Sequence, residues 1–313
     1  SSAASDVYKR QVDNGSTDGS VEYVISNFSK DTRVKVIVLD KNYGYPAANN
    51  IGAKQANGKY LVFLNNDTKV DKGWLKELVQ VFELDRSVGM AQGKVLLMRN
   101  PKRISNVGHY IDKLGFTYDR GRFEKDEGQY DHITQIAVTG VAAIIRREVF
   151  EKLSGFDSSF FLQLEDSDLS WRVQLYGLRT ILVPQAIIYH VDGGTLYKRD
   201  LAWRLPFWIR NQFFMLVKNY SLTNTVLHCV VLTIIYSSLA LFFLLRNEGR
   251  VSISIIKGMV HFIRKFKTAW KKRFYVQYIR RVSDRFLFSH FLRTPNFRDQ
   301  YTTRYQRMLK QIP

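Results

Sequence analysis

The sequence is poor in cysteine, proline and acidic residues. A single cysteine, Cys229, stands in 313 residues, which excludes an intramolecular disulfide and a cysteine-based zinc site and suits a reducing compartment. Six prolines exclude a collagen-like or proline-rich chain. The 28 Asp+Glu are outnumbered by 47 Lys+Arg, giving a formal net charge of +19. No apolar run of signal-peptide character is visible near the start. Apolar residues are plentiful: 45% hydrophobic and 14% aromatic exclude a disordered chain and allow a sizeable core, in one large domain or two ordinary ones.

A charge of +19 taken alone suggests nucleic-acid binding. Its distribution points elsewhere. Residues 201–313 carry 20 Lys+Arg and three acids (Glu248, Asp284, Asp299), whereas residues 1–200 carry 27 basic and 25 acidic residues. A nearly neutral part joined to a strongly basic one implies a basic surface held against something anionic, either nucleic acid or membrane lipid.

Residues 1–11 (SSAASDVYKRQ) are small, polar and aperiodic, and read as a leader or scar outside the fold. From Val12 onward, short apolar runs alternate with amphipathic stretches. Strands are expected at 34–39, 60–64, 136–138, 142–145, 180–183 and 186–189, and helices at 47–56, 74–83, 147–153 and 166–176. Strands separated by helices predict an α/β sheet with parallel strands. Beyond residue 200, a stretch at 207–220 is aromatic-rich, and 224–245 holds no Asp, Glu, Lys or Arg. A second apolar stretch at 251–263 leads into the basic-aromatic run RKFKTAWKKR, 264–273.

Ligands of such sheets bind at the C-terminal ends of strands, where three polar clusters fall. Asp13-Asn14-Gly15-Ser16-Thr17-Asp18 is either a turn with a helix cap or a contact for a base or sugar. Asn65-Asn66-Asp67-Thr68 is either a strand-to-turn connection or an oxygen-donor site for Mg²⁺ or Mn²⁺ on a diphosphate. Glu165-Asp166-Ser167-Asp168 is either a solvated helix start or a cleft carboxylate poised as a general base. His190, before Asp192-Gly193-Gly194, is either structural or a metal ligand.

In combination, VDNGSTDGS, NYGYPAANNIGAKQANGKYLVFLNNDT, TGVAAIIRREVF, GFDSSFFLQLEDSDLSWRVQLYG and the Tyr189-His190 pair resemble the family 2 glycosyltransferases, nearest the rhamnosyltransferase-like branch of cell-surface polysaccharide synthesis. The resemblance runs from Val12 to about Tyr220. It implies an α/β, GT-A-like, mostly parallel sheet flanked by helices, and inverting transfer of a sugar, rhamnose being one candidate, from a UDP- or dTDP-sugar. It further implies Asp166 as catalytic base, with Glu165 or Asp168 positioning the acceptor or holding Arg172. Asp13, Asn42, Gly44, Asn49 and Asn65 would line the nucleotide-sugar pocket, and Asp67 with His190 would bind Mg²⁺ or Mn²⁺. The family's opening strand and helix have no counterpart before Val12, so residues 12–200 are expected to form a catalytic domain short of its first strand.

Residues 201–313 are expected to form a basic, helical, membrane-associated region. The run at 224–245 reaches the roughly 20 residues needed to cross a bilayer. A single crossing would place 17 Lys+Arg of residues 246–313 outside, against the positive-inside tendency. In-plane or re-entrant helices on anionic lipid at the cytoplasmic face, next to a lipid-linked or cell-envelope glycan acceptor, fit the charges better, without nucleic acid as a partner. The rival reading is a basic membrane- or nucleic-acid-binding protein with an inactive GT-A-like domain.

Overall fold

The computed structural model describes residues 7–191 and 200–294. The chain opens with β1 (Lys9–Asp13), α1 (Ser20–Phe28) and β2 (Val34–Val38), a parallel pair joined by a helical crossover. Lys9, Arg10 and Gln11 pair with Val34, Lys35 and Val36. The expected boundary at residue 11 therefore moves: these three residues belong to the fold because their backbone continues the ladder of Val12 and Asp13.

Next come α2 (Tyr45–Lys54), β3 (Tyr60–Leu64), β4 (Thr68–Val70), α3 (Trp74–Leu84) and β5 (Val88–Leu97). An excursion through β6 (Asn100–Asn106), β7 (His109–Asp112), β8 (Thr117–Asp119) and β9 (Thr134–Gln135) follows. The chain then returns as β10 (Ala142–Arg146), α4 (Arg147–Lys152), α5 (Glu165–Leu175) and β11 (Arg179–His190). The main sheet runs β3-β10-β5-β11-β4, with β6 on β5 and β9 on β11. It is mixed rather than mostly parallel. β5 and β11 are parallel, but β10 inserts antiparallel between β3 and β5, and β4 lies antiparallel to β11. The α3 crossover makes β3 and β5 point the same way, and β10 fills the space between them from the opposite direction.

The two apolar runs expected at 180–183 and 186–189 are one strand, β11, with a register shift between Val183 and Ile187. Pro184 cannot donate to a ladder, so the break falls there. Gly93 of β5 accommodates the bulge, since a Cβ would stand 2.0 Å from the Ala186 carbonyl oxygen. The segment 136–138 forms no strand of its own; Val138 makes only an isolated bridge to His109. β5 went unread because Gln92 and Lys94 interrupt its apolar pattern. Both are buried and satisfied, Gln92 by Asn106 and Gly140, and Lys94 by Asp126 and Asp131.

The C-terminal helices are α6 (Leu201–Asn219), α7 (Leu222–Leu245), α8 (Gly249–Ile279) and α9 (Asp284–His290), and β12 (Leu292–Arg293) returns to pair with β7. The boundary at residue 200 separates no cores. Phe160, Leu164, Trp171 and Leu175 share one apolar cluster with Phe213, Phe214, Tyr236, Ile255 and Val276. α7 buries a single stripe, Thr225, His228, Leu232, Tyr236, Ala240 and Phe243. Its outer face exposes Val226, Val230, Ile234, Leu241 and Leu245.

Candidate active site

The first strand delivers Asp13 to the start of a Gly-containing turn. Its Oδ2 accepts the N–H groups of Gly15 (3.1 Å) and Ser16 (2.9 Å). Asn14 ties this turn to the next strand end: its Nδ2 donates to Asn42 Oδ1 (3.0 Å) and its Oδ1 accepts from the Tyr43 amide (2.9 Å). Asn42 Oδ1 also accepts from the Gly44 amide (2.8 Å). Asp13, Asn42 and Gly44 are therefore brought together. Asn49 gives its amide to the Tyr45 carbonyl one helical turn back (2.9 Å).

Gly44 has φ 83°, and a Cβ there would stand 2.4 Å from the Phe161 carbonyl oxygen. Only glycine combines that backbone with so close an approach. The same carbonyl accepts the Tyr45 N–H (2.9 Å), so the start of α2 abuts the loop that leads into α5. Three non-glycine residues of that loop, Phe161, Gln163 and Leu164, have positive φ, a costly conformation that persists only when its surroundings enforce it.

α5 begins with Glu165, Asp166 and Asp168 in its first turn, where unpaired backbone N–H groups favour negative charge. Their environments differ sharply. Asp168 is fully buried, bound by Arg172 Nε (2.8 Å), Lys218 Nζ (2.9 Å) and Asn219 Nδ2 (3.3 Å). Of its two expected roles it holds Arg172 and is closed off from an acceptor, because buried cations occupy its oxygens. Glu165 is buried with one oxygen unpartnered, and burial pushes its carboxyl up to about 7. Asp166 is half-buried and is raised well above the usual carboxylate range by burial first and by the Glu165 charge second. The Tyr45 phenol is raised by burial, then by the charges of Asp166 and Glu165. Its hydroxyl therefore lies within the field of the pair, and it also reaches Asn65 Oδ1 at 3.5 Å. Tyr45 thus joins the loop before α5, through its backbone N–H, to the end of β3, through its hydroxyl.

Asp67 follows β3, and His190 ends β11. The β4–β11 ladder sets His190 opposite Thr68, and the Val191 N–H donates to the Asp67 carbonyl (3.0 Å). This register brings His190 Nε2 to 3.4 Å from Asp67 Oδ2. Asp67 Oδ1 and His190 Nδ1 are buried without a hydrogen-bond partner. One carboxylate and one imidazole with unused atoms suit a divalent cation whose remaining ligands are phosphate and water. Among the described residues no group of three or more His, Cys, Asp or Glu forms around a common point. Asp192-Gly193-Gly194 lies outside the described residues.

Sequence reasoning placed Asn14 in the first polar cluster and Tyr45 within the segment 42–50 without giving either a role of its own, and it missed the α6 residues Arg210, Asn211 and Lys218. A tyrosine following Gly44 and a lysine within an otherwise apolar helical face were the available signals. A lysine there needs buried carboxylates, and Lys218 finds Asp157 (2.5 Å) and Asp168 (2.9 Å).

Known proteins resemble this chain in sequence and in fold. Residues 11–154 match the profile of glycosyl transferase family 2. The O-antigen biosynthesis protein RfbC of Myxococcus xanthus is 32% identical over 187 residues, covering 57% of this chain and 14% of that protein. The dTDP-rhamnosyl transferase RfbF of Shigella flexneri is 23% identical over 217 residues, covering 66% of this chain and 71% of its own length. The chain thus spans a small fraction of the first relative and most of the second. The crystal structure of GalNAc-T7 with UDP, GalNAc and Mn²⁺ superposes with a TM-score of 0.51 at 19% identity, over 59% of this chain and 37% of that one. That likeness shows a GT-A-like α/β fold.

Proposed function

We propose, from the premise that this chain carries a glycosyltransferase family 2 domain over residues 11–154, that it is a metal-dependent inverting glycosyltransferase. It moves a sugar from a dTDP- or UDP-sugar to a lipid-linked or cell-envelope glycan. The observation that carries the reading is the Glu165–Asp166 pair at the start of α5, whose preceding loop is bonded to Tyr45, which in turn reaches Asn65 at the strand end that bears Asp67 and faces His190. RfbF, named as a dTDP-rhamnosyl transferase, favours dTDP-rhamnose as donor.

Two adjacent carboxylates in a poorly solvated site cannot both ionise easily, so the pair retains a proton near neutrality. In this reading Asp166, the more exposed of the two, takes the proton of the attacking acceptor hydroxyl once it is ionised, and the charge of Glu165 sets its proton affinity. The turns of Asp13–Asn14 and Asn42–Gly44 hold the nucleotide. Asp67 and His190 would hold Mg²⁺ or Mn²⁺, which supplies positive charge for the departing diphosphate.

The C-terminal helices favour a seat on the cytoplasmic face of a membrane. α7 is long and apolar enough to cross a membrane, and its apolar outer face is largely exposed. It is nonetheless docked onto the domain: Tyr236 donates to Gln212 Oε1 (2.5 Å) and Ser252 of α8 donates to the Ala240 carbonyl (2.8 Å). A helix packed along one stripe against α6 and α8, and apolar on the other, suits an in-plane position better than an isolated span. The exposed Phe274, Tyr275 and Tyr278 of α8 and its interleaved lysines and arginines suit anionic headgroups.

The test is release of nucleotide from a panel of UDP-, dTDP- and GDP-sugars by the full chain on vesicles carrying a polyprenyl-linked glycan. Turnover with one donor, lost in Asp166→Asn by about 10²- to 10⁴-fold, is expected. No turnover with any donor, or full activity in Asp166→Asn, would sink the proposal.

A further inference from the structure

The strained loop before Glu165 has no glycine to relax it. Phe161, Gln163 and Leu164 all have positive φ. Three carbonyls of this loop converge on one side chain of α6. Asn211 Nδ2 donates to the carbonyls of Phe160 (3.1 Å), Leu162 (2.7 Å) and Gln163 (2.7 Å). Carbonyls only accept, so the amide nitrogen must face them. The orientation is fixed from the other end too: Arg210 donates to Asn211 Oδ1 through Nε (2.9 Å) and Nη2 (2.8 Å). Arg210 also donates to the carbonyls of Ser159 (3.0 Å) and Phe160 (2.6 Å). Asn211 is fully buried, so no water replaces these donors if they are lost.

The loop is clamped from two directions. On one side Gly44 and Tyr45 of α2 press on the Phe161 carbonyl, and on the other stand Arg210 and Asn211 of α6. α6 is in turn held by α8: Arg273 donates to the Val217 and Tyr220 carbonyls (both 2.6 Å), and Gln277 to the Lys218 carbonyl (2.8 Å). About two turns after Asn211, Lys218 binds Asp157 before the loop and Asp168 after the carboxylate pair.

We infer that Asn211, oriented by Arg210, is a positioning residue that holds the backbone of residues 160–164 in the conformation that presents Glu165 and Asp166 to the site. The C-terminal helices thereby take part in building the active site as well as in seating the protein. The inference deepens the glycosyltransferase reading and rests on it for the kinetic readout; the backbone readout is independent of it.

The experiment uses Asn211→Asp in the full chain, because aspartate keeps the shape and removes the NH₂ donor that three carbonyls need. Under the vesicle assay above, kcat is expected to fall about 10²-fold, while KM for the nucleotide sugar stays within about twofold. Amide exchange at residues 159–168 is expected to quicken by on the order of 10-fold or more, with the centre of β5 unchanged. Asn211→Gln, which keeps the donor, should recover part of both. If aspartate prevents folding, Arg210→Gln, at a half-buried site, should give a smaller change of the same kind. Wild-type kcat in a folded Asn211→Asp chain, unchanged exchange at 159–168, or a rise in KM with kcat unchanged would each overturn the inference. Absence of turnover in the unmodified chain would instead count against the glycosyltransferase reading, and the exchange result would still decide the role of Asn211.

Discussion

Replacing Glu165 by Gln isolates the electrostatics of the carboxylate pair. The two residues are adjacent in the first turn of α5, and the Glu165 charge is the second cause, after burial, of the high proton affinity of Asp166. Two nearby charges at an effective dielectric of about 20 interact by on the order of 2 kcal/mol, equivalent to about 1.5 pH units. If Asp166 must be ionised to accept a proton, the wild-type kcat should rise with pH along an acid limb lying well above the usual carboxylate range. Glu165→Gln removes the repulsion and leaves the burial, so that limb should move down by about 1.5 units. Stability should move in a linked way. Glu165 has a carboxyl raised from 4.5 to about 7 in the folded chain. A raised value favours the folded state fully below the unfolded value and loses that advantage as pH climbs through the folded one. At pH 8 the ionised Glu165 therefore costs about 3 kcal/mol relative to acid conditions, and Glu165→Gln should melt higher than wild type at pH 8 and much closer to it at pH 4. The measurements are kcat against pH with saturating donor, and thermal melts at the two pH values. An acid limb that stays put or moves upward, or a variant less stable than wild type at pH 8, would refute the assignment of Asp166 and Glu165 as a proton-sharing pair.

Three further outcomes follow from the geometry. Asp67→Ala should weaken Mn²⁺-dependent binding of the nucleotide diphosphate by at least about 10-fold, and His190→Ala by a similar factor, measured by calorimetry with and without metal; equal affinity in all three chains would remove the pair as a metal site. Lys218→Met leaves Asp157 and Asp168 buried without their shared cation and should destabilise the fold by about 3–5 kcal/mol, read from denaturant unfolding; a loss under 1 kcal/mol would show that Arg172 and Lys272 suffice. Ile234→Glu on the exposed face of α7 should lower partition into anionic vesicles by on the order of 10-fold without changing the melting temperature, checked by sedimentation with lipid; unchanged partition would move the membrane contact away from α7.

The local grammar of the chain was legible without coordinates. The apolar runs of β2, β3 and β10, the amphipathic stripe of α3 and the carboxylate-rich start of α5 follow from period and composition, because each is a property of consecutive residues. The split of charge at residue 200 was legible for the same reason. β5 was hidden because Gln92 and Lys94 look like surface residues until Asn106, Asp126 and Asp131 are seen to satisfy them. The direction of β10 was hidden because strand polarity in a sheet depends on where a returning chain finds an open edge.

The sequence by itself placed Asn65, Asp67 and His190 at strand ends and Glu165 and Asp166 at the start of a helix, whereas the strand that delivers Asp13 lay largely in residues read as a leader. The sequence could not assign these groups their chemistry. The register of β11 on β4 puts His190 beside Asp67, across more than 120 positions of chain. The contact of α2 with the loop before α5 gives Glu165 and Asp166 a tyrosine neighbour and little water, whereas Lys218 of α6 neutralises Asp168 two positions on. Three carboxylates within four positions of one another thus meet three environments: Asp168 is paired with buried cations, Glu165 is buried with one oxygen unpartnered, and Asp166 is half-buried beside it. Burial and long-range pairing set a carboxylate's proton affinity, and both are properties of the folded chain alone.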